Sequence, residues 1–227
     1  MRISIKGLLA ACLLACLPMG ASAQDETAGG IPPDVFYLMP SFAQGTVVFS
    51  GQAPAQGLLN ICAEDHSLRF LDNDGQELQA ADISNVVRVI IDGVVFVRNG
   101  NYFYRIYPVS EGVDVAFLRD LEVLRDVRKG AYGVEDRTSS IREYSAIHSD
   151  GVMYKLEQRT NFPYRVYETC YLYKGGSVIP LTKRNLRRQF PDRKADIDAW
   201  LKSGHSIPDS LEEVIGFLSR LASGEAL

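Results

Sequence analysis

Four cysteines, three histidines and one tryptophan are all that 227 residues hold of the side chains most used for metal ligation, acid-base catalysis and aromatic anchoring. Their placement excludes more than their number. No Cys-x-x-Cys or His-x-x-x-His pair occurs, whereas structural zinc needs three or four nitrogen or sulfur ligands, usually in such pairs; no metal is expected. There is no Walker pattern and no Gly-x-Gly-x-x-Gly opening a helix, so nothing is built to cradle phosphates as nucleotide enzymes do, and no cofactor is expected. The Gly-x-Ser-x-Gly elbow is missing as well. His66, His148 and His205 stand in no recognisable nucleophile-base neighbourhood, and Cys170, inside Tyr-Glu-Thr-Cys-Tyr-Leu-Tyr, reads as a strand residue rather than a reactive thiol. Asp72-Asn73-Asp74-Gly75 begins like a calcium loop but lacks the later oxygen ligands and the twelfth-position glutamate. Beyond the first residues no run reaches the roughly 20 apolar residues of a membrane helix.

What is present begins with an export signal. Arg2 and Lys6 precede an apolar stretch over residues 8–17, and Ala21-Ser22-Ala23 supplies small-residue cleavage chemistry, so residues 1–23 read as a signal peptide removed after Ala23. The expected destination is the periplasm, the cell surface or the medium. Leu13-Leu14-Ala15-Cys16 resembles a lipobox, and lipidation at Cys16 is the alternative; the Ala-x-Ala site downstream favours cleavage. Cleavage removes two cations and moves the formal charge from −4 to about −6, which argues against nucleic acid as a partner. The remaining cations are uneven. Lys183, Arg184, Arg187 and Arg188, followed by Arg193 and Lys194, form a local basic patch, read either as a solvated helix face or as a site for anionic lipid or polysaccharide. Cys62 and Cys170 survive cleavage, and an oxidising compartment permits a disulfide between them that would close a loop of roughly 108 residues. Free packing of each as a small hydrophobe is the other reading.

Period and punctuation divide the chain. Residues 24–33 are polar and rich in breakers and read as a disordered leader; the fold is expected from residue 34. Residues 34–181 alternate short β-branched and aromatic runs with turn signals, which marks an antiparallel β domain: a meander, sandwich or partly open barrel. Strands are expected at 46–50, 58–63, 67–71 and 76–80, then at 113–118 and 121–128, and again at 152–158, 165–174 and 177–181. The clearest signal is the meander 86–91, 94–98 and 101–107, punctuated by Asp92-Gly93 and Asn99-Gly100, both suited to type I′ turns. Residues 134–147 are polar and aperiodic and read as a long loop, a common place for function. Residues 182–227 switch to helical period. Thr182 reads as an N-cap, Pro191 opens a second helix stopped by Gly204, and Leu211, Val214, Ile215, Leu218 and Leu221 make one apolar stripe after a Ser210-to-Glu213 capping box. The fold class is thus mainly β with a C-terminal helical appendage, an α+β chain whose helices pack on the β domain.

Tyrosines supply the candidate binding surface. On strand 165–174, Tyr167, Tyr171 and Tyr173 share one face with Thr169, while Val166, Cys170 and Leu172 share the other with Glu168. Tyr102 and Tyr104 form a similar pair on the meander. A tyrosine row suits sugar stacking or the grip of an extended peptide; the plainer reading is that the row packs beneath the tail helices.

The motifs Phe70-Leu71-Asp72-Asn73-Asp74-Gly75, Lys129-Gly130-Ala131-Tyr132-Gly133 and Leu186-x-x-x-Phe190-Pro191-Asp192-x-Lys194 resemble those of a group of uncharacterised exported proteins of Bacteroidota. The resemblance implies a cell-envelope setting and an antiparallel β domain followed by helices, and it brings no catalytic residues. The functional expectation is a non-enzymatic binding module for a peptide, a glycan or a partner protein of the envelope. Two alternatives stand: a carboxylate-dependent, glycosidase-like hydrolase, which 28 acidic residues leave open, and a structural envelope protein using its basic patch.

Overall fold

The computed structural model describes residues 31–124 and 163–227. The signal peptide expected at 1–23, the loop expected at 134–147, the strand expected at 152–158 and His148 lie outside the described residues.

Tight turns organise the chain into strands. Asp92 and Gly93 both have positive φ, 48° and 77°, and join β5 (Val86–Ile91) to β6 (Val94–Asn99) in the expected type I′ geometry. The next turn differs by one residue. Asn99 pairs with Tyr102, so the loop is Gly100-Asn101, and only Gly100 has positive φ. That is type II′ geometry, where glycine takes the first central position. β7 (Tyr102–Ser110) leads to β8 (Val113–Val123), a single strand of 11 residues where two were expected. Arg119 and Asp120 do not interrupt it, because β9 (Tyr164–Lys174) pairs with it continuously from Asp114↔Tyr173 to Val123↔Tyr164. Gly175-Gly176 then turns the chain into β10 (Ser177–Pro180).

Before the meander come α1 (Pro33–Phe36), β1 (Ala43–Phe49), β2 (Ala55–Ile61), β3 (Leu68–Leu71) and β4 (Glu77–Gln79). Ordered structure therefore starts inside the expected leader. The ten strands among the described residues form one antiparallel sheet in the order β10-β9-β8-β7-β6-β5-β1-β2-β3-β4. Its inner face is covered in two ways. Over the first half the sheet curls on itself: Val47, Leu59, Ile61 and Leu68 meet Val89, Ile91, Phe96 and Phe103 in one core. The β2–β3 turn folds back to seal that end, with the Leu121 N–H donating to the Ala63 carbonyl at 3.0 Å and the Ala63 N–H to Phe36 at 2.8 Å. Buried Asn60 ties the entering chain to β2, exchanging bonds of 3.1 and 3.0 Å with both backbone groups of Met39.

Over the second half, helices cover the inner face. α2 (Lys183–Gln189), a 3-10 turn (Pro191–Arg193), α3 (Lys194–Lys202) and α4 (Leu211–Ser223) follow β10. Thr182 caps α2 through its hydroxyl, which accepts from the Asn185 N–H at 3.2 Å. Ser210 stands at the N-cap of α4, but its side chain makes no cap bond, so the expected capping box does not form. α4 buries Val214, Phe217, Leu218 and Leu221 against Val113, Val115, Cys170 and Leu172 of β8 and β9. Each such side chain contributes roughly 1.5–3 kcal/mol of burial, which is what holds the tail to the sheet. Arg193 fastens the far end of α4: its guanidinium donates to the carbonyls of Arg220 at 3.0 Å, Leu221 at 3.2 Å and Glu225. A residue counted in the basic patch is thus a helix C-cap, satisfying carbonyls the helix leaves open.

Candidate functional site

The helices cover the face of β9 that carries Cys170 and Leu172, which leaves the tyrosine face on the other side of the sheet. The reading that tail helices bury the tyrosine row is therefore overturned, because the apolar stripe of α4 matches the Val-Cys-Leu face instead. On the outer face Tyr102, Tyr104 and Tyr171 form a chain of edge-to-face contacts, with ring centroids 6.5 and 5.3 Å apart. Tyr173 joins the same apolar cluster with Val97, Ala116 and Val178. Tyr104 is buried, and burial pushes its phenol, like that of Tyr171, above the usual range. Tyr102 and Tyr167 remain exposed. Tyr167 stands apart, its hydroxyl donating to Glu122 Oε2 at 2.7 Å.

The backbone of β9 carries the more telling feature. In an antiparallel ladder alternate residues bond to alternate sides. The Leu124 N–H donates to the Pro163 carbonyl at 2.7 Å, so the odd-numbered residues of β9 bond to β8. The two-residue Gly175-Gly176 turn closes on Lys174 and Ser177, which sets the even-numbered residues toward β10. β10 stops at Pro180, opposite Tyr171, and the chain turns away into α2. Among the described residues no strand pairs with the outer side of residues 164–170. Tyr164, Val166 and Glu168 thus aim one donor and one acceptor each away from β8, with no partner strand among the described residues. The side chains there are exposed as well: 38% for Tyr164, 36% for Val166 and 47% for Tyr167. A groove of about 500 Å³ continues this edge, lined by Glu168 and Cys170 on one side and Leu181, Ile207, Pro208 and Asp209 on the other.

Cys62 and Cys170 do not make the bridge considered for them. Both are free and buried. Cys62 directly follows β2, where it forms an isolated bridge to Tyr37, whereas Cys170 lies in the helix-covered core, with β8, β7, β6, β5 and β1 between β2 and β9 in the sheet. The disulfide is therefore not formed. Burial pushes the Cys170 thiol up to about 11 and that of Cys62 higher still, so neither is a thiolate near neutral pH.

A polar knot at the sealed end of the first half went unnoticed in the sequence. Arg69, 4% exposed, donates from Nε to Ser67 Oγ at 2.6 Å and reaches Asp65 at 3.2 Å and Glu77 at 3.6 Å. Tyr37 closes the chain, its hydroxyl donating to Glu77 Oε2 at 2.7 Å. Asp65, Ser67 and Arg69 alternate, so period-2 spacing places them together; this was the available signal. Burial works to raise the Asp65 carboxyl, but hydrogen bonds from Ser67 and the Arg69 charge outweigh it and hold it low. Beside them His66 sits buried at φ 52°, accepting at Nδ1 from the Phe103 N–H at 3.5 Å and facing Asp120 Oδ1 from Nε2 at 3.4 Å. Desolvation lowers its pKa despite the pull of Asp120, so the ring is neutral. Ser67 donates to Asp65 at 2.6 Å, so its hydroxyl serves the knot and is not activated by His66. Among the described residues no group of three or more His, Cys, Asp or Glu side chains is placed to hold a metal.

The basic patch is sorted into two roles. Lys183, Arg184, Arg187, Arg188 and Lys194 line a depression of about 430 Å³ on α2 and the start of α3. Arg193, which caps α4 and pairs with Asp196 at 2.6 Å, is not among its walls.

No family model, no curated protein and no solved structure matches this chain.

Proposed function

We propose that this chain is an exported, non-enzymatic binding protein of the cell envelope that takes an extended segment of a partner protein as an added strand on β9. The observation that carries the reading is the edge of residues 164–170, with outward backbone groups at Tyr164, Val166 and Glu168 and exposed side chains around them. An open strand edge recognises another strand: backbone bonds provide affinity, and alternate side chains provide choice. Three outward residues offer a donor and an acceptor each, at about 0.5–1.5 kcal/mol net per bond, which suits a binder of moderate affinity. A neighbouring groove with acidic Glu168 and Asp209 at its walls favours a segment carrying a cation beside its apolar residues. By contrast, the partly exposed carboxylates Asp65 and Glu77 are both engaged by Arg69, so this pair is not poised as a free acid and base.

The test is a peptide selection against the purified chain, followed by Val166→Pro. The proline removes a donor that faces solvent and leaves the β8 ladder intact. Selected peptides should bind the parent and Val166→Thr alike and lose at least about tenfold on Val166→Pro. Binding indifferent to Val166→Pro but abolished by Tyr171→Ala with Tyr173→Ala would move the site to the tyrosine face and sink strand addition.

A further inference from the structure

The depression lined by Lys183, Arg184, Arg187, Arg188 and Lys194 lies on the helical tail and is independent of the β9 edge. Five cations converge on one concavity, and among the described residues a single carboxylate, Asp198, is bonded to any of them. Asp198 accepts from Arg187 Nη2 at 2.6 Å and lies 3.1 Å from Lys183 Nζ. Hydrogen bonding from Lys183 and the neighbouring cationic charges hold its carboxyl below the usual range, so it is ionised. One negative charge against five positive ones leaves the depression strongly cationic.

Asp198 and Asn185 also fix the walls in place. Arg187 and Lys183 are tethered by the Asp198 carboxylate, and Arg188 donates to Asn185 Oδ1 at 3.2 Å. Side chains already held in position lose less freedom when a ligand arrives. Arg184 and Lys194 are both exposed at the rim, with no bonded partner among the described residues. Three guanidiniums matter more than the net charge alone, because their planar forks match the oxygens of phosphate in paired hydrogen bonds. Ammonium groups at Lys183 and Lys194 add point charge on either side. A cavity of about 430 Å³ is larger than one phosphate requires.

We propose that this depression is a binding site for an anion bearing two or more adjacent phosphate groups, held by Arg184, Arg187 and Arg188 with Lys183 and Lys194 at its flanks. Such phosphates reach an envelope protein either on a lipid headgroup or in a soluble chain, and the chemistry of recognition is the same.

The test uses the full mature chain with two probes: inorganic tripolyphosphate, and phosphatidylcholine vesicles with and without a polyprenyl diphosphate, whose headgroup carries two adjacent phosphates. Arg184→Gln with Arg188→Gln removes two exposed cations that take no part in the core, and circular dichroism checks that the fold is kept. Tripolyphosphate should bind the parent at low ionic strength, weaken steeply with added salt, and bind the double variant at least about tenfold more weakly. If the anionic vesicles also bind and tripolyphosphate displaces the protein from them, the source is lipid; binding of tripolyphosphate without vesicle binding assigns a soluble phosphate chain. Failure of the parent to bind either probe at low salt overturns the site. So does equal binding by the parent and the double variant.

Discussion

At one edge of the sheet β4 contributes only Glu77–Gln79, and Glu77 is engaged by both Tyr37 and Arg69. At the other, β9 runs on through residues 164–170 after β10 has ended, with apolar and aromatic side chains in the open. Proteins ordinarily blunt an edge by shortening it, charging it or covering it, since an unpaired edge templates pairing with other chains. The first edge is blunted in two of these ways. The second is long, and its exposed residues include Tyr164, Val166 and Tyr167. Among the described residues, then, one edge is short and engaged while the other has no partner strand along residues 164–170.

That contrast can be broken from the structural side first. Arg69→Ala should cost about 1–3 kcal/mol, because it strips Asp65, Ser67 and Glu77 of the buried donor that satisfies them. Val166→Thr, on the open edge, should change stability by less than about 0.5 kcal/mol, as surface substitutions away from special features do. Denaturant midpoints of the two variants measure the difference directly. Equal effects would mean that the edges are not distinguished by the knot.

A smaller effect concerns pH. His66 has a folded pKa below its ordinary 6.5, so as pH falls below that value the unfolded chain takes up a proton that the folded chain refuses. Stability contributed by the neutral ring is complete above about pH 6.5 and is lost toward the lower folded value. Asp65, also lowered, adds a second loss beginning only below about pH 4. Melting temperatures between pH 7 and 5 should therefore fall in the parent and flatten in His66→Gln. An unchanged slope would show that His66 does not seal the curled half as described.

Local signals carried much of this architecture. Asp92-Gly93 announces its turn through the positive φ it needs, and the stripe of Val214, Leu218 and Leu221 announces the buried face of α4. What stayed hidden depends on distant partners. Arg119-Asp120 looks like a break until β9 is laid beside it, and Arg193 looks like a surface cation until the end of α4 arrives. His66 has meaning only once Phe103 and Asp120 reach it across the curl. The tyrosine row was legible as a face by alternation, but which face the helices cover is decided by the fit of Phe217 and its neighbours.

The central claim is that β9 offers unpaired backbone groups to solvent, and amide hydrogen exchange of the free chain tests it most directly. The inward amides of Arg165, Tyr167 and Thr169 should be protected by β8, while those of Val166 and Glu168 exchange rapidly, an alternation along a single strand. Uniform protection across residues 165–169 would show the edge already paired and would contradict the account.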